Sequence, residues 1–318
     1  MQDILKSNTP AFVFDTAALK KRVAQIKEIV GETVSLCYSM KANPFFVPAM
    51  ITCVDKLEVC SPGELTICKK LGVDASRIIY SGVNKEIPDI KEAYEYGVGT
   101  FTAESVRQAD LIQQVVETAA VGKKAEVILR LNSGSQFGMS KEDLLTILQC
   151  RESKYTSLNF TGIHYFVGTQ RKRAKRKIKE LQMLLELFEE IQNKYGLKLK
   201  KLEYGPGFAV PYFEDDDFED TLYPVKELKD TLKQAAQQVD LTIEMGRFFT
   251  AECGTYYTNV ADLKTVGNAH YCILDGGMNH LTYLGQMMGM KTPIIKHHKN
   301  TSKQDERPEK KTWCLCGS

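Results

Sequence analysis

Apolar residues follow two rhythms that alternate along most of the chain. Short β-prone runs at 33–38 (TVSLCY), 57–60 (LEVC), 78–81 (IIYS), 99–102 (GTFT), 125–131 (AEVILRL), 158–164 (LNFTGIH), 199–204 (LKKLEY) and 241–244 (LTIE) read as strands. Between them, apolar residues recur at three- and four-residue spacing over 62–71, 87–96, 104–118, 141–150, 175–195 and 225–238, which predicts amphipathic helices. A strand over 11–15 and a helix over 16–30, capped by Asp15 or Thr16, come before them. Eight strands with helices between them predict an α/β fold of the (β/α)8 TIM-barrel type. A doubly wound sheet would stop at about five or six strands.

After Arg247 the helical spacing ends. Runs at 248–260, 269–274 and 290–295 read as strands of a second, mainly antiparallel β domain. A polar loop over 297–311 leads to a last run from Thr312 to Cys316. The expected division is a barrel over 31–247 and a β domain made of 1–30 and 248–318. The sequence stops at Gly317-Ser318, in what reads as a strand and its turn, as a fragment would.

Composition narrows the class. With 318 residues, 43% hydrophobic and 26% charged, the chain can bury a large core. A net charge of +2 gives no general attraction to nucleic acid or membranes. The start, MQDILKSNTPAF, lacks the basic and apolar regions of a signal peptide, and no apolar run is long enough to span a bilayer, so a cytoplasmic enzyme is expected. Nine scattered cysteines, an odd number, fit reduced thiols better than a disulfide framework. Cys314-x-Cys316 near His297-His298 is spaced too irregularly for a zinc site, and no metal is expected.

Barrel enzymes carry their chemistry just after the strands. Lys41 follows the first strand and precedes Asn43-Pro44, which puts an amine at the barrel mouth. Such a lysine can act as a Schiff-base nucleophile once its site lowers its pKa. Gly205-Pro206-Gly207 follows the seventh strand, and Glu244-Met245-Gly246-Arg247 the eighth. Barrels commonly hold a phosphate at these two corners. Glycine lets backbone N–H groups approach it, and arginine offers a planar charged fork. Together with Lys41 they point to a phosphorylated carbonyl cofactor, pyridoxal 5'-phosphate. Glu244 could keep the pyridine nitrogen protonated, which suits reactions through a full carbanion such as decarboxylation.

Several stretches, among them Tyr38 to Asn43, Cys60 to Leu65, Ser81 to Glu86, Gln136 to Met139, Gly162 to Gln170, Tyr204 to Tyr212, Glu244 to Arg247 and Leu274 to Asn279, resemble the fold type III pyridoxal-phosphate decarboxylases, the group of diaminopimelate and ornithine decarboxylases. The resemblance covers nearly the whole chain. It implies that Lys41 is the catalytic lysine holding the cofactor, that Thr169, Gly207 and Arg247 hold the phosphate, that Glu244 faces the ring nitrogen, and that Gly205 and Phe166 also line the cofactor site. It also implies substrate contacts at Arg130 and Asn279 and a homodimer whose β domains complete each other's sites.

The pattern departs from the family at several places. Phe166 stands where the family stacks a histidine on the ring, and His164 reads as a packed strand residue. Pro206 replaces a glycine and removes one N–H. Gln136 replaces a lysine of the diaminopimelate enzymes, and the segment 132–135 is shorter than theirs, which argues against plain diaminopimelate; the expected substrate is a diaminopimelate-, ornithine- or lysine-like amino acid or a carrier-linked aminoacyl group. The family's proton-donating cysteine, in a Cys-x-x-x-Asp stretch, would come after Ser318. The basic run 171–177 opposes the dipole of the helix it opens; it reads as a solvated start or as a docking patch for an acidic carrier. An amino-acid racemase of the same fold and an impaired cofactor-binding protein are the alternatives; Glu244 argues against the first.

Overall fold

The computed structural model describes residues 8–119, 122–216, 218–281, 291, 293–297 and 311–317. It contains two compact units. One comprises 16–210 and 220–250, the other 1–15, 211–219 and 251–318.

The larger unit is a closed, all-parallel barrel of β2 (Ser35–Ser39), β3 (Lys56–Val59), β4 (Ile78–Tyr80), β5 (Thr100–Ala103), β6 (Ala125–Arg130), β7 (Leu158–Phe166), β8 (Lys201–Gly205) and β9 (Asp240–Met245). The strand before them, β1 (Ala11–Phe14), belongs to the other unit. The barrel closes where Cys37 of β2 sits in register with Glu244 of β9. Its helices are α1 (Thr16–Val30), α2 (Val47–Met50), α3 (Pro62–Lys70), α4 (Ile87–Tyr96), α5 (Val106–Thr118), α6 (Lys141–Gln149), α7 (Ala174–Tyr195), α8 (Tyr223–Ala236) and α9 (Arg247–Thr250). Several start on hydroxyl caps: Ser61, Ser105 and Ser140 accept the backbone N–H of Glu64, Gln108 and Asp143. Strand alternation turns Leu57, Val59, Leu202 and Ile243 toward the helices, all of them buried, and each contributes about 1.5–3 kcal/mol of apolar burial.

Helix α1 groups with the barrel rather than with residues 1–15, contrary to the expected boundary. It buries Leu19, Val23, Ile26 and Val30. Its Arg22 Nε donates to the Phe248 carbonyl at 2.8 Å, and the guanidinium lies 4.8 Å over the Phe248 ring. The strand expected from residue 248 likewise gives way to α9, because Phe248 and Phe249 are 2% and 0% exposed and pack against Arg22 and Phe208 and against Tyr38.

In the smaller unit β1 pairs antiparallel with β10 (Gly254–Tyr257). A three-stranded sheet orders β11 (Val260–Val266), β12 (Ala269–Leu274) and β13 (Trp313–Cys316), antiparallel between the first two and parallel between the last two. Of the expected run 290–295, the described part shows only an isolated bridge between Pro293 and Phe213. Most of the polar loop 297–311 lies outside the described residues.

Candidate active site

Strand β2 ends at Ser39, and Lys41 sits in the 3-10 turn Met40–Ala42 directly above it. The side chain of Asn43 then accepts the Phe45 N–H at 3.0 Å, with Pro44 fixing the turn, so the chain bends over the rim and leaves the amine at the mouth. Lys41 Nζ lies 3.1 and 3.0 Å from the two carboxylate oxygens of Glu58 and 3.7 Å from Cys60 Sγ. The Lys41 side chain is 46% exposed and that of Glu58 only 2%. Burial pushes the Glu58 carboxyl up, but Lys41, then His164, pull it down to about 2. Burial pulls the Lys41 ammonium down, and Glu58 and Glu244 outweigh it, so its pKa is raised. The expectation of a lowered lysine pKa is thus overturned for the free amine: two buried carboxylates face it and hold its proton.

Phe166 ends β7 between two cations. Lys41 Nζ is 5.7 Å and the Arg130 guanidinium 6.0 Å from its ring centre. Arg130 is buried and ion-paired with Glu104, so its charge is already matched inside the protein. Gly205 of β8 lies under Phe166 and Glu244. A Cβ there would stand 2.3 Å from the Phe166 ring and 2.5 Å from Glu244 Oε1. Glu244 is 4% exposed, and its Oε2 lies 3.3 Å from His164 Nε2 without hydrogen-bond geometry. His164 is packed, as expected, but against this carboxylate.

The loops after β7 and β8 are zipped together. Gln170 Nε2 donates to the Val210 carbonyl and its Oε1 accepts the Val210 N–H, both at 2.8 Å; Arg171 N–H donates to the Gly207 carbonyl at 2.9 Å. Gly207 has φ +58°, and a Cβ there would fall 1.8 Å from the Gly168 carbonyl oxygen. Arg247 is exposed, with Nη1 3.4 Å from Thr169 Oγ1. Gly246 lets this corner meet the lysine turn, since a Cβ there would sit 2.7 Å from Ala42 Cβ. Lys41, Phe166, Thr169, Gly205, Gly207, Glu244, Arg247 and Arg130 therefore share the C-terminal mouth of one barrel. Asn279 lies exposed in the turn after β12, in the other unit.

These residues suit a flat, phosphorylated, ring-nitrogen cofactor. With no side chain of its own, Gly205 lets an aromatic ring and the Glu244 carboxylate pack closely on its backbone, and Glu244 Oε2 has no hydrogen-bond partner among the described residues. Thr169 and Arg247 supply a hydroxyl and a permanent cation next to the tight Gly168–Gly207 approach, a donor set for a phosphate. A separate cavity of about 290 Å3, lined by Lys124, Arg151 and Asn159 among others, lies at the opposite end of the strands.

Glu58, Glu203 and His164 were not anticipated as part of this chemistry. The signal was present: Lys56-Leu57-Glu58-Val59, Lys201-Leu202-Glu203-Tyr204 and Thr242-Ile243-Glu244-Met245 repeat one pattern, in which the apolar residues face the helices and a glutamate faces the lumen.

Comparison with known proteins agrees with this geometry. Residues 16–251 match the family model described as pyridoxal-dependent decarboxylase, pyridoxal binding domain. The chain is 28% identical over 310 residues to the L-glutamyl-[BtrI acyl-carrier protein] decarboxylase of Niallia circulans, covering 90% of this chain and 72% of that protein. It is 27% identical to the diaminopimelate decarboxylase of Aquifex aeolicus, covering 86% of this chain and 67% of the relative. The crystal structure of SrLDC in complex with PLP and cadaverine superposes with a TM-score of 0.78 at 25% identity, covering 87% of this chain and 71% of that one. The chain belongs to the pyridoxal-dependent decarboxylase family, with the fold type III architecture of a barrel plus a β unit, and its cofactor is pyridoxal 5'-phosphate.

Proposed function

We propose that this decarboxylase acts on an aminoacyl group carried by an acidic carrier protein, and that Lys41, Glu244, Thr169, Gly207 and Arg247 hold its cofactor. Bound there, pyridoxal phosphate supplies an electron-accepting ring for the electron pair of the breaking Cα–carboxylate bond. The chain's own groups divide the remaining work. Lys41 is the amine that binds the cofactor aldehyde. Glu244 keeps a proton on the ring nitrogen, Phe166 covers one face of the ring, and Thr169 and Arg247 anchor the phosphate. Glu58 holds the Lys41 amine in place and takes up positive charge beside it.

The observation that carries the carrier-linked reading is the cationic start of α7. Lys172, Arg173, Lys175, Arg176 and Lys179 are all exposed; Lys172 and Arg173 lead into the helix, and 175, 176 and 179 share one face of it. The first turn holds no acidic residue and Arg173 gives no side-chain cap, so these charges oppose the helix dipole. That local cost at the rim, just beyond Thr169, is reasonable if an acidic surface docks there. The similarity to a decarboxylase of a carrier-bound glutamyl group supports the same reading. Because the α-carboxylate must be free to leave, the carrier would be attached through another acyl group of the substrate.

Lys175→Glu with Arg176→Glu tests this. The kcat/KM for the carrier-linked substrate should fall about tenfold or more, with a weaker salt dependence, while a free amino acid reacts as before. Equal efficiency on the carrier-linked substrate would end the proposal. The same reading places the enzyme as a homodimer in a reducing cytoplasm. The nine free cysteines and the exposed Leu263, Val266, Trp313 and Leu315 of the smaller unit support this assignment, and no helix among the described residues is long and apolar enough to cross a membrane.

A further inference from the structure

The barrel lumen holds more carboxylates than cations to match them. Glu58, Glu203 and Glu244 are 2%, 2% and 4% exposed. Lys41 takes Glu58. Lys56 donates to Thr242 Oγ1 at 2.9 Å. His164 is 3.3 Å from Glu244. Glu203 has no ion pair, and neither of its carboxylate oxygens has a hydrogen-bond partner, among the described residues.

Its position is fixed by strand register. Glu203 pairs with His164 of β7 on one side and Thr242 of β9 on the other. Side chains alternate along a strand, so Gly205, two residues on, is the next lumen-facing position, and it touches Glu244 and Phe166. Glu203 is therefore one layer beneath the ring-nitrogen carboxylate. The groups facing it are Cys37 from β2, Lys56 and Glu58 from β3, His164 from β7, and Thr242 and Glu244 from β9. An unpaired carboxylate in such a place is far costlier than a neutral acid. Burial, then Glu244 and Glu58, push the Glu203 carboxyl well above the usual range. Lys56, the lysine that faces Glu203, spends a hydrogen bond on Thr242 Oγ1, whereas Glu244 lies in the field of the Lys41 ammonium, so one proton shared by the two belongs on Glu203.

We propose that Glu203 is a positioning residue: a neutral carboxylic acid beneath Glu244 that donates its proton to the unpartnered Glu244 Oε2 and keeps Glu244 the anion that meets the cofactor ring. This rests on the reading of Glu244 as the ring-nitrogen partner. The O–H also gives Glu203 and Glu244 Oε2 a hydrogen bond, and it leaves Glu244 Oε1, the oxygen beside Gly205, for the cofactor.

Infrared spectra of the cofactor-free protein at neutral pH, where exposed carboxylates are ionised, test the proton directly. The wild-type minus Glu203→Gln difference should contain one carboxylic-acid C=O band, and that band should persist in Glu244→Gln. Loss of the band in Glu244→Gln but not in Glu203→Gln, or no band in the wild type, overturns the proposal. A second measurement is the visible absorption titration with cofactor. Glu203→Val should weaken binding about tenfold, the scale of one buried hydrogen bond, and Glu203→Gln should recover most of it because the amide still donates. Equal weakening by both variants overturns the positioning role. If Glu244→Gln leaves the spectrum of the bound cofactor unchanged, the ring-nitrogen reading of Glu244 fails while the infrared result on Glu203 stands by itself.

Discussion

Lys41 Nζ stands 3.0 Å from Glu58 Oε2, an ion pair between an amine open to the barrel mouth and a carboxylate sealed inside it. The amine needed for cofactor capture is thus stored as an ammonium. Glu58→Gln should free it: Lys41 should be acylated faster at neutral pH, read by mass spectrometry of the labelled peptide. The cofactor-free variant should be about 1–3 kcal/mol less stable, because a buried amide replaces a charge-matched acceptor. The Glu58 carboxyl falls from its ordinary 4.5 to about 2 on folding. Its stabilising contribution is therefore complete above pH 4.5 and lost as pH falls through about 2, and the melting difference between wild type and variant should close over that window. A constant difference down to pH 2 would contradict the pairing.

Two neighbouring glycines should respond differently to alanine. At Gly205 the added Cβ meets the Phe166 ring and the Glu244 carboxylate, both movable side chains, so the fold survives while the two groups assigned to the cofactor ring are pushed aside. Cofactor affinity by absorption titration should drop at least about tenfold with a near-normal melting temperature. At Gly207 the Cβ meets the Gly168 carbonyl at 1.8 Å on a backbone with φ +58°. That variant should lose about 2 kcal/mol or more of stability even without cofactor.

Arg247 and Thr169 meet at 3.4 Å where a phosphate would sit. Arg247→Gln should weaken pyridoxal phosphate binding about ten- to a hundredfold, the value of a charge-assisted hydrogen bond. Binding of pyridoxal, which lacks the phosphate, should change little. Equal losses for both ligands would place the arginine's role elsewhere.

How far the sequence foretold this arrangement depended on the kind of signal. Barrel strands came within about two residues because their β-branched runs are bounded by glycine and by helical spacing, as at 78–81 and 125–131 against Ile78–Tyr80 and Ala125–Arg130. The placement of Lys41, Gly207 and Arg247 at the barrel mouth was legible because loops after strands carry unusual residues, and that of Gly205 and Glu244 because they stand at or next to the last residue of their strands. Glu58 and Glu203 escaped notice because each lies inside a strand, where lysine and glutamate at alternate positions look like a solvated face. Only barrel closure turns that face into a lumen. The aromatic pair Phe248-Phe249 misled in the opposite sense: its β-propensity yielded to burial in a single helical turn.

Lys85 provides an alkaline counterpart to Glu58. It is 5% exposed, and its Nζ donates to the Gly82 carbonyl at 2.5 Å and to Gln108 Oε1 at 3.2 Å. Burial, against the pull of Glu104, lowers its pKa from 10.5 to about 8. Between those values the unfolded chain holds a proton that the folded one has released, so the folded state gains as pH rises. Wild type should strengthen relative to Lys85→Met from pH 8 to 10.5, by up to about 3 kcal/mol in denaturant titrations. A flat difference would show that the amine stays charged in the folded protein.

Phe166 faces Lys41 at 5.7 Å and Arg130 at 6.0 Å, both measured to its ring centre. A neutral ring suits that position: its face attracts both cations without placing another charge beside them. Phe166→His should therefore fold, with an imidazole whose pKa lies at least about one unit below the ordinary 6.5, since two cations oppose its protonation. Nuclear magnetic resonance titration of the new histidine would read that value. A normal or raised pKa would mean that Glu244 and Glu58 govern the field at this ring more than the two cations do. In that case the stacking position could carry a charged histidine, and phenylalanine there would reflect a requirement of the substrate rather than of the local electrostatics.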